Sequence, residues 1–446
     1  MTDPLPLLAL FFARAGDSRL AELEAVAQRL GAPELDWRWD PRVLATNGGD
    51  VGPRIVQWLP PLPEQAWGWL ADAAAGSVGC RGIFEVWGQG DTIEACASSA
   101  AAVSAAHIQA RVQGSWRVSS TVLGARKSRH PGSLGERMTT FDTVLDALAC
   151  RPVDLTRPQH RVWLVEDGQS LQDKRPIPDP PPRFLLLYEL PAHARPIQER
   201  TTQLALRKRA FLSTSTLPAD RALLLCNLAL ARAPRSGATV LDPYCGSGGI
   251  LLAAAALGAH TVGSDLDWRL VSNTPWPVRI PGTPDRPLRG VERVCMRDNF
   301  VEAGLESPKA LLTLDVGAAN AADLLLQAND SERFDALVCD PPYGRREFQR
   351  GQQGWGGELS FKVDTAALGA TLRTLLTLAR QTLKAGGRLV FLAPVRSPRD
   401  PNKPDTRALR TLLERAGSAQ GLRLVHLGEE VVHGGLHRAV VVMDRT

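Results

Sequence analysis

The chain opens with the unbroken apolar run Leu7-Leu8-Ala9-Leu10-Phe11-Phe12, which predicts a buried strand. Leu20, Leu23, Val26, Ala27 and Leu30 then keep helical spacing, with Asp17-Ser18 as the cap and Gly31 as the stop. From 36 to 63 the pattern dissolves into Asn47-Gly48-Gly49 and scattered prolines, which predicts an irregular connection. Cys80 to Gly88 reads as a strand and Asp91 to Ala106 as an alanine-rich helix. Ser115–Val118, Trp163–Glu166 and Phe184–Tyr188 add strands, the last two on either side of the proline-rich turn Pro176 to Pro182. This mixture predicts a compact α+β module.

Beyond Arg200 the pattern becomes that of a parallel α/β sheet. Apolar runs near 239–242, 260–265, 310–314, 334–339 and 388–393 alternate with helical segments, and 422–427 and 439–443 close the sheet. A helix over Asp220 to Ala231 leads into the first of these strands. The proline-rich Thr274 to Pro287, within an insertion over 268–294, and the glycine/glutamine-rich Arg350 to Gly357 interrupt the series. The expected division is an N-terminal α+β segment over 1–60, a second α+β domain over 61–195, and an α/β domain over 196–446.

Composition narrows the class only a little. The 446 residues suffice for two or three domains, and 44% hydrophobic with 22% charged residues is ordinary for a globular protein. A net charge of +5 permits a nucleic-acid partner without requiring one. The seven cysteines are scattered with no C-x-x-C, and the eight histidines have no ligand spacing, so no metal is expected. Reduced thiols fit an intracellular compartment, and neither a secretory signal nor a membrane span is expected.

Two stretches carry chemistry. The first is Cys339-Asp340-Pro341-Pro342-Tyr343-Gly344, closing an apolar strand. The two prolines end the strand and turn its carbonyls outward. Asp340 and a nearby carbonyl are then both acceptors for an exocyclic amino group, and Tyr343 offers a face for stacking. Alone, the stretch reads equally well as an ordinary strand-to-loop turn.

The second is Val240-Leu241-Asp242-Pro243-Tyr244-Cys245-Gly246-Ser247-Gly248-Gly249, a strand and a glycine turn before the helical run from Ile250. It lacks the spacing of the dinucleotide fingerprint. It is followed by a strand ending at Asp265, an acid suited to ribose hydroxyls, and by Asp315 at the end of the next, placed for an adenine edge.

This succession resembles the class I S-adenosylmethionine-dependent methyltransferases that act on amino groups. Arg207-Lys208-Arg209-Ala210-Phe211-Leu212-Ser213-Thr214-Ser215 before Asp242-Pro243 is similar to the approach to that motif in the THUMP-domain tRNA (guanine-N2)-methyltransferases. Further similar stretches are Arg19–Glu24, Glu85–Thr92, Val153–Leu155, Trp163–Asp167, and Asn299 with Gly304–Glu306, so the resemblance covers nearly the whole chain.

It implies a Rossmann-like seven-stranded sheet behind a THUMP-type RNA-binding region. It implies S-adenosylmethionine held by Thr214, Ser215, Asp242, Gly246, Gly248, Asp265 and Asp315, and catalysis by Asp340, Pro341, Pro342 and Tyr343. The substrate implied is the N2 amino group of a guanine in tRNA, at position 10 in the eukaryotic branch. A small zinc-binding activator subunit is implied as partner, and the cytoplasm as location. Beside an RNA-reading module the basic runs Arg126, Lys127, Arg129 and Arg207, Lys208, Arg209 are expected at tRNA phosphates.

There are departures. Asp242-Pro243-Tyr244 stands where the family usually has Asp-Pro-Phe, and Gly246-Ser247-Gly248-Gly249 replaces Gly-Thr-Gly-Ser; both keep the small residues a turn needs. Alternatives are a DNA or protein-glutamine N-methyltransferase, which uses a similar turn, and a catalytically silent RNA-binding subunit. Cys245 and Cys339 also invite a cysteine-nucleophile reading, but such a thiolate needs an activating base, and Asp340 beside Cys339 works against one.

Overall fold

The computed structural model describes residues 5–12, 18–32, 43–45, 53–59, 62, 64–123, 133–167, 184–194, 196–213, 216–272, 294–342, 365–395, 406–431 and 437–446. The chain divides into two compact units, 1–15 with 32–195, and 16–31 with 196–446.

The first unit is built on one sheet of seven strands: β1 (Leu7–Phe12), β2 (Val43–Ala45), β3 (Pro53–Trp58), β4 (Cys80–Gly90), β5 (Trp116–Leu123), β6 (His160–Asp167) and β7 (Phe184–Glu189). Their order is β2-β3-β1-β4-β7-β6-β5. The apolar run that opens the chain is thus an interior strand, with Leu8 opposite Trp58 on one side and Phe84 on the other. β5 and β6 run parallel and the other pairs antiparallel.

The stretch expected to be irregular supplies β2 and β3, which is a correction. Pro53 hid the strand, yet it sits at the first position of β3, opposite a register shift at Phe12, where a missing N–H costs no ladder bond. The alanine-rich helix is also divided, into Ile93–Ala100 and Ala105–Arg111. Thr92 caps the first by accepting from the Ala95 N–H at 3.1 Å, and Ser104 the second by accepting from His107 N–H at 3.2 Å. Leu8, Leu10, Phe84, Val86, Trp163, Val165, Leu185 and Leu187 pack as one core. Within β4, fully buried Glu85 accepts from Trp87 Nε1 at 3.0 Å and pairs with Arg111 at 3.3 Å.

The second unit carries β8 (Thr239–Asp242), β9 (His260–Asp265), β10 (Ala310–Thr313), β11 (Phe334–Cys339), β12 (Leu383–Val395), β13 (Leu422–Val431) and β14 (His437–Arg445), ordered β10-β9-β8-β11-β12-β14-β13. The pairs from β10 to β12 are parallel, and β14 is antiparallel to both of its neighbours. A parallel sheet that reverses its order beside β8, with one reversed strand near the far edge, is the class I methyltransferase arrangement. Its core runs from Leu241 and Val262 through Leu337 and Phe391 to Val441.

The helix Ser18–Arg29, placed by the sequence in an N-terminal segment, belongs to this second unit. Buried Glu22 accepts from Asn227 Nδ2 at 2.7 Å, and Ser18 Oγ lies 3.0 Å from His426 Nε2. Of the residues that gave the helical spacing, Leu23, Val26 and Ala27 are buried, together with Ala25, while Leu20 and Leu30 are half-buried.

Candidate active site

In a parallel sheet the crevice forms outside the carboxyl ends of the strands, where the order reverses. Here that point lies between β8 and β11, and the acids picked from sequence stand at the ends meeting there. Asp242 ends β8, Asp265 ends β9, Asp315 follows β10, and Asp340 follows β11.

The glycine turn after β8 is built by the bonds it makes. Cys245 N–H donates to Ser264 O at 2.9 Å and Gly248 N–H to Cys245 O at 2.7 Å. Gly246 and Gly248 both take positive φ, +52° and +80°, and they do so in different surroundings. Nothing lies within 4 Å of a Cβ built on Gly246, so that face is open to a ligand. A Cβ on Gly248 would meet Met296 Sδ at 2.6 Å, so this glycine is needed for close packing inside the fold.

Asp265 holds the turn and faces the crevice. Its Oδ2 accepts from Gly246 N–H and its Oδ1 from Asp267 N–H, both at 2.9 Å. Burial raises its carboxyl above the usual range despite these bonds. Leu266, directly after it, is 59% exposed and presents an apolar face at the rim. Asp315 is exposed and accepts from Gly317 N–H at 2.9 Å.

Asp242 is different. It is 1% exposed, and its Oδ1 accepts from Tyr244 N–H at 3.1 Å. Burial pushes its carboxyl well above the usual range, with Asp265 and Asp340 adding to the rise. The sequence placed this residue against the cofactor; the structure places its side chain beneath the turn, as an Asx-type brace. Cys245 and Cys339 are both buried, and burial with the neighbouring carboxylates holds both thiols well above their ordinary value. A protonated, enclosed thiol is a core side chain and no nucleophile.

Asp340 is half-buried at the crevice, with Pro341 buried and Pro342 exposed after it. Arg438 Nη1, from the start of β14, lies 3.2 Å from Asp340 Oδ2. No local pattern in the sequence marks Arg438. Tyr343, Thr214 and Ser215 lie outside the described residues. The flanks of the last two are tied to the glycine turn: Thr216 Oγ1 lies 2.7 Å from Ser247 Oγ and donates to Ser213 O at 3.0 Å. The upstream segment is pinned by Asn299, whose side chain makes two bonds of 2.8 Å to the backbone of Phe211.

Of the basic residues expected at RNA, Arg126, Lys127 and Arg129 also lie outside the described residues. Arg207 and Lys208 are exposed and line a cavity of about 480 Å³ with Gln203, Leu252 and Glu302. Arg209 corrects the expectation of a basic face. It is 5% exposed, its Nε donates to Leu204 O at 3.0 Å, and its Nη1 stands 3.3 Å from a Cβ built on Gly249. Burial lowers its guanidinium to about 10. Arg207 and Lys208 lie exposed on the single 3₁₀ turn over 206–208, and Arg209, directly after it, is carried inward.

The arrangement fits S-adenosylmethionine. A turn with one open glycine, a carboxylate tied to it, an apolar residue at the rim and a further acid provide complements to an amino acid, a ribose and a purine. Among the described residues no group of three or more His, Cys, Asp or Glu could hold a metal ion, and no helix is long and apolar enough to cross a membrane.

Residues 207–354 match the family of RMKL-like methyltransferase domains. The tRNA (guanine(10)-N(2))-methyltransferase TRMT11 of Rattus norvegicus is 29% identical over 269 residues, covering 57% of this chain and 54% of the relative. The tRNA (guanine(10)-N2)-dimethyltransferase of Methanothermobacter thermautotrophicus is 29% identical over 212 residues, covering 48% of each. The chain thus spans about half the length of these curated relatives. Among solved structures, TrmN from Thermus thermophilus is similar with a TM-score of 0.43 and 21% identity, covering 99% of this chain and 100% of that one.

Proposed function

We propose that this chain, whose residues 207–354 match the RMKL-like methyltransferase domains, is an enzyme that methylates the exocyclic N2 amino group of a guanine in tRNA, position 10 being the target. The observation that carries the reading is Asp340 at the end of β11, beside the glycine turn and Asp265, at the reversal of the sheet. The relatives' names supply the base and its position.

S-adenosylmethionine, when bound, supplies an electrophilic methyl group on its sulfonium. The open face at Gly246 takes its methionine part, Asp265 the ribose hydroxyls, Asp315 and Leu266 the purine, and Thr214 and Ser215 are further contacts of the cofactor. Asp340 and a backbone carbonyl of the Pro341–Pro342 turn accept the two amino hydrogens, and Tyr343 stacks on the guanine ring. An exocyclic amine is a poor nucleophile because its lone pair is conjugated with the ring. Two acceptors favour the pyramidal nitrogen that forms as the methyl arrives, so catalysis is positioning and electrostatics.

Residues 61–195 are the THUMP-like RNA-binding domain of this reading, holding tRNA by shape and phosphates, with Arg126, Lys127, Arg129, Arg207 and Lys208 as contacts. Its affinity then falls steeply with salt. The partner is a small zinc-binding activator. Among the described residues strand β10 pairs with β9 alone and is the edge of the sheet, and its Leu311 and Leu312 are half-buried, so an added strand would supply main-chain bonds and cover them. The location is cytoplasmic.

The test is to incubate the protein, alone and with the activator, with labelled S-adenosylmethionine and bulk tRNA, DNA or protein. Label in tRNA as N2-methylguanosine is expected, and label only in DNA or in glutamine of protein overturns the reading. The variant Asp340→Ala keeps cofactor binding by calorimetry and loses turnover by orders of magnitude, at about 1.4 kcal/mol per tenfold.

A further inference from the structure

We propose that Arg438 is a positioning residue for Asp340: its guanidinium holds the carboxylate ionised and fixed in direction, so that it stays an acceptor. The proposal rests on reading Asp340 as the acceptor for the substrate amine.

Topology brings the pair together. β11 and β12 run parallel, so Asp340 leaves the sheet at its carboxyl edge. β14 runs antiparallel to β12, and its first residues therefore reach the same edge, with His437 opposite Val395 and Arg438 opposite Pro394. From there Arg438 reaches across β12 to Asp340, 3.2 Å from Nη1 to Oδ2, with side chains 13% and 26% exposed. A contact so enclosed is screened less than a surface pair.

The charges around Asp340 explain why a cation is needed. Burial raises the carboxyl of Asp242 at the neighbouring strand end, and Asp265 and Asp340 add to the rise, so the acids of this edge act on one another. Cys339 is its buried neighbour, and Tyr244, whose hydroxyl is held up by burial and then by Cys339, Asp315 and Asp242, borders the same crevice. From the β14 side comes Arg438, whose backbone stands opposite that of Glu430 in the β13–β14 ladder. Like charges and burial both favour the protonated carboxyl. A protonated Asp340 would turn one of its two oxygens into an O–H donor and leave the other a weaker, neutral acceptor, and its contact with an amino group, itself a donor, would weaken. Among the charges named, Arg438 is the permanent cation in contact with Asp340.

The test reads Asp340 directly. The full chain is labelled with carboxyl-¹³C aspartate, the Asp340 signal is assigned by its loss in Asp340→Asn, and it is titrated by NMR in the wild type, Arg438→Gln and Arg438→Lys. In the wild type Asp340 is expected to titrate at or below about 4, the ordinary aspartate value. In Arg438→Gln it is expected to rise by about one unit or more, and in Arg438→Lys to stay near the wild type. The acid limb of the kcat–pH profile is expected to move with it, while calorimetric affinity for S-adenosylmethionine changes less than about twofold, under 0.5 kcal/mol. An Asp340 that titrates above about 5 in the wild type, or does not move in Arg438→Gln, overturns the proposal. The wild-type titration decides the matter even where Arg438→Gln fails to fold. Absence of methyl transfer to tRNA would sink the functional reading and leave the carboxyl titration as the judge of this one.

Discussion

Asn299 holds the backbone of Phe211 at both of its polar groups. Its Oδ1 accepts from the Phe211 N–H and its Nδ2 donates to the Phe211 carbonyl, each at 2.8 Å, and the asparagine is 3% exposed. Two residues of distant sequence thereby fix the segment that runs on to Ser213 and Thr216 and meets the glycine turn at Ser247. Replacing Asn299 by Ala leaves two buried backbone groups without partners, at a cost of about 2–4 kcal/mol. Thermal unfolding with and without S-adenosylmethionine checks this. The variant is expected to lose stability in the free form and also to lose part of the cofactor-induced rise in Tm. An unchanged rise would mean that the segment does not serve the cofactor.

The two glycines of the turn are expected to fail differently. Gly248→Ala brings a Cβ into Met296 Sδ at a position with φ of +80°, so the fold itself loses stability. Gly246→Val places its side chain in open space, at a strained φ of +52°, where the cofactor is expected to lie. Urea unfolding should show the larger loss for Gly248→Ala, and calorimetry should show cofactor binding abolished in Gly246→Val with a smaller stability loss. Normal binding by Gly246→Val would mean that the cofactor lies elsewhere.

Asp242 makes the stability of the free protein depend on pH. Its carboxyl is raised in the folded state, first by burial, so the folded chain binds this proton more tightly than the unfolded chain does. The associated stability is full below the unfolded value near 4, and is lost as pH rises from there through the raised folded value. Asp242→Asn removes the titration. Denaturation midpoints at low and neutral pH should show the variant gaining on the wild type as pH rises. A difference independent of pH would contradict the raised carboxyl of Asp242.

The helix Ser18–Arg29 is part of the second unit, which changes where the chain can be cut. A chain beginning at residue 196 loses the buried Leu23 and Val26, and leaves Asn227 without its bond to Glu22. It is expected to unfold at lower temperature than the full chain, and a peptide of residues 16–31 supplied in excess is expected to raise its Tm. No response to the peptide would show that the helix adds nothing to this unit.

What could be read from the sequence was whatever a local pattern encodes. Short apolar runs ended by Asp-Pro or by a lone acid located β8, β9 and β11 and the carboxyl ends where Asp242, Asp265 and Asp340 stand, because strand length and proline chemistry act within a few residues. The glycine turn was legible for the same reason, whereas the difference between the open Gly246 and Gly248, packed on Met296, was not. The tertiary structure alone decided which side chain meets which. Arg438 is an ordinary arginine in an apolar strand until the reversal of β14 carries it to Asp340. Arg209 belongs to a basic run that looks like a surface, and a single 3₁₀ turn buries it. β3 was hidden by a proline that pairing with β1 tolerates at the strand's first position, and the helix after β1 found its partner in the other unit. Pairing, reversal and burial are settled between residues far apart in the chain, and a periodicity read over ten or twenty residues carries no record of them.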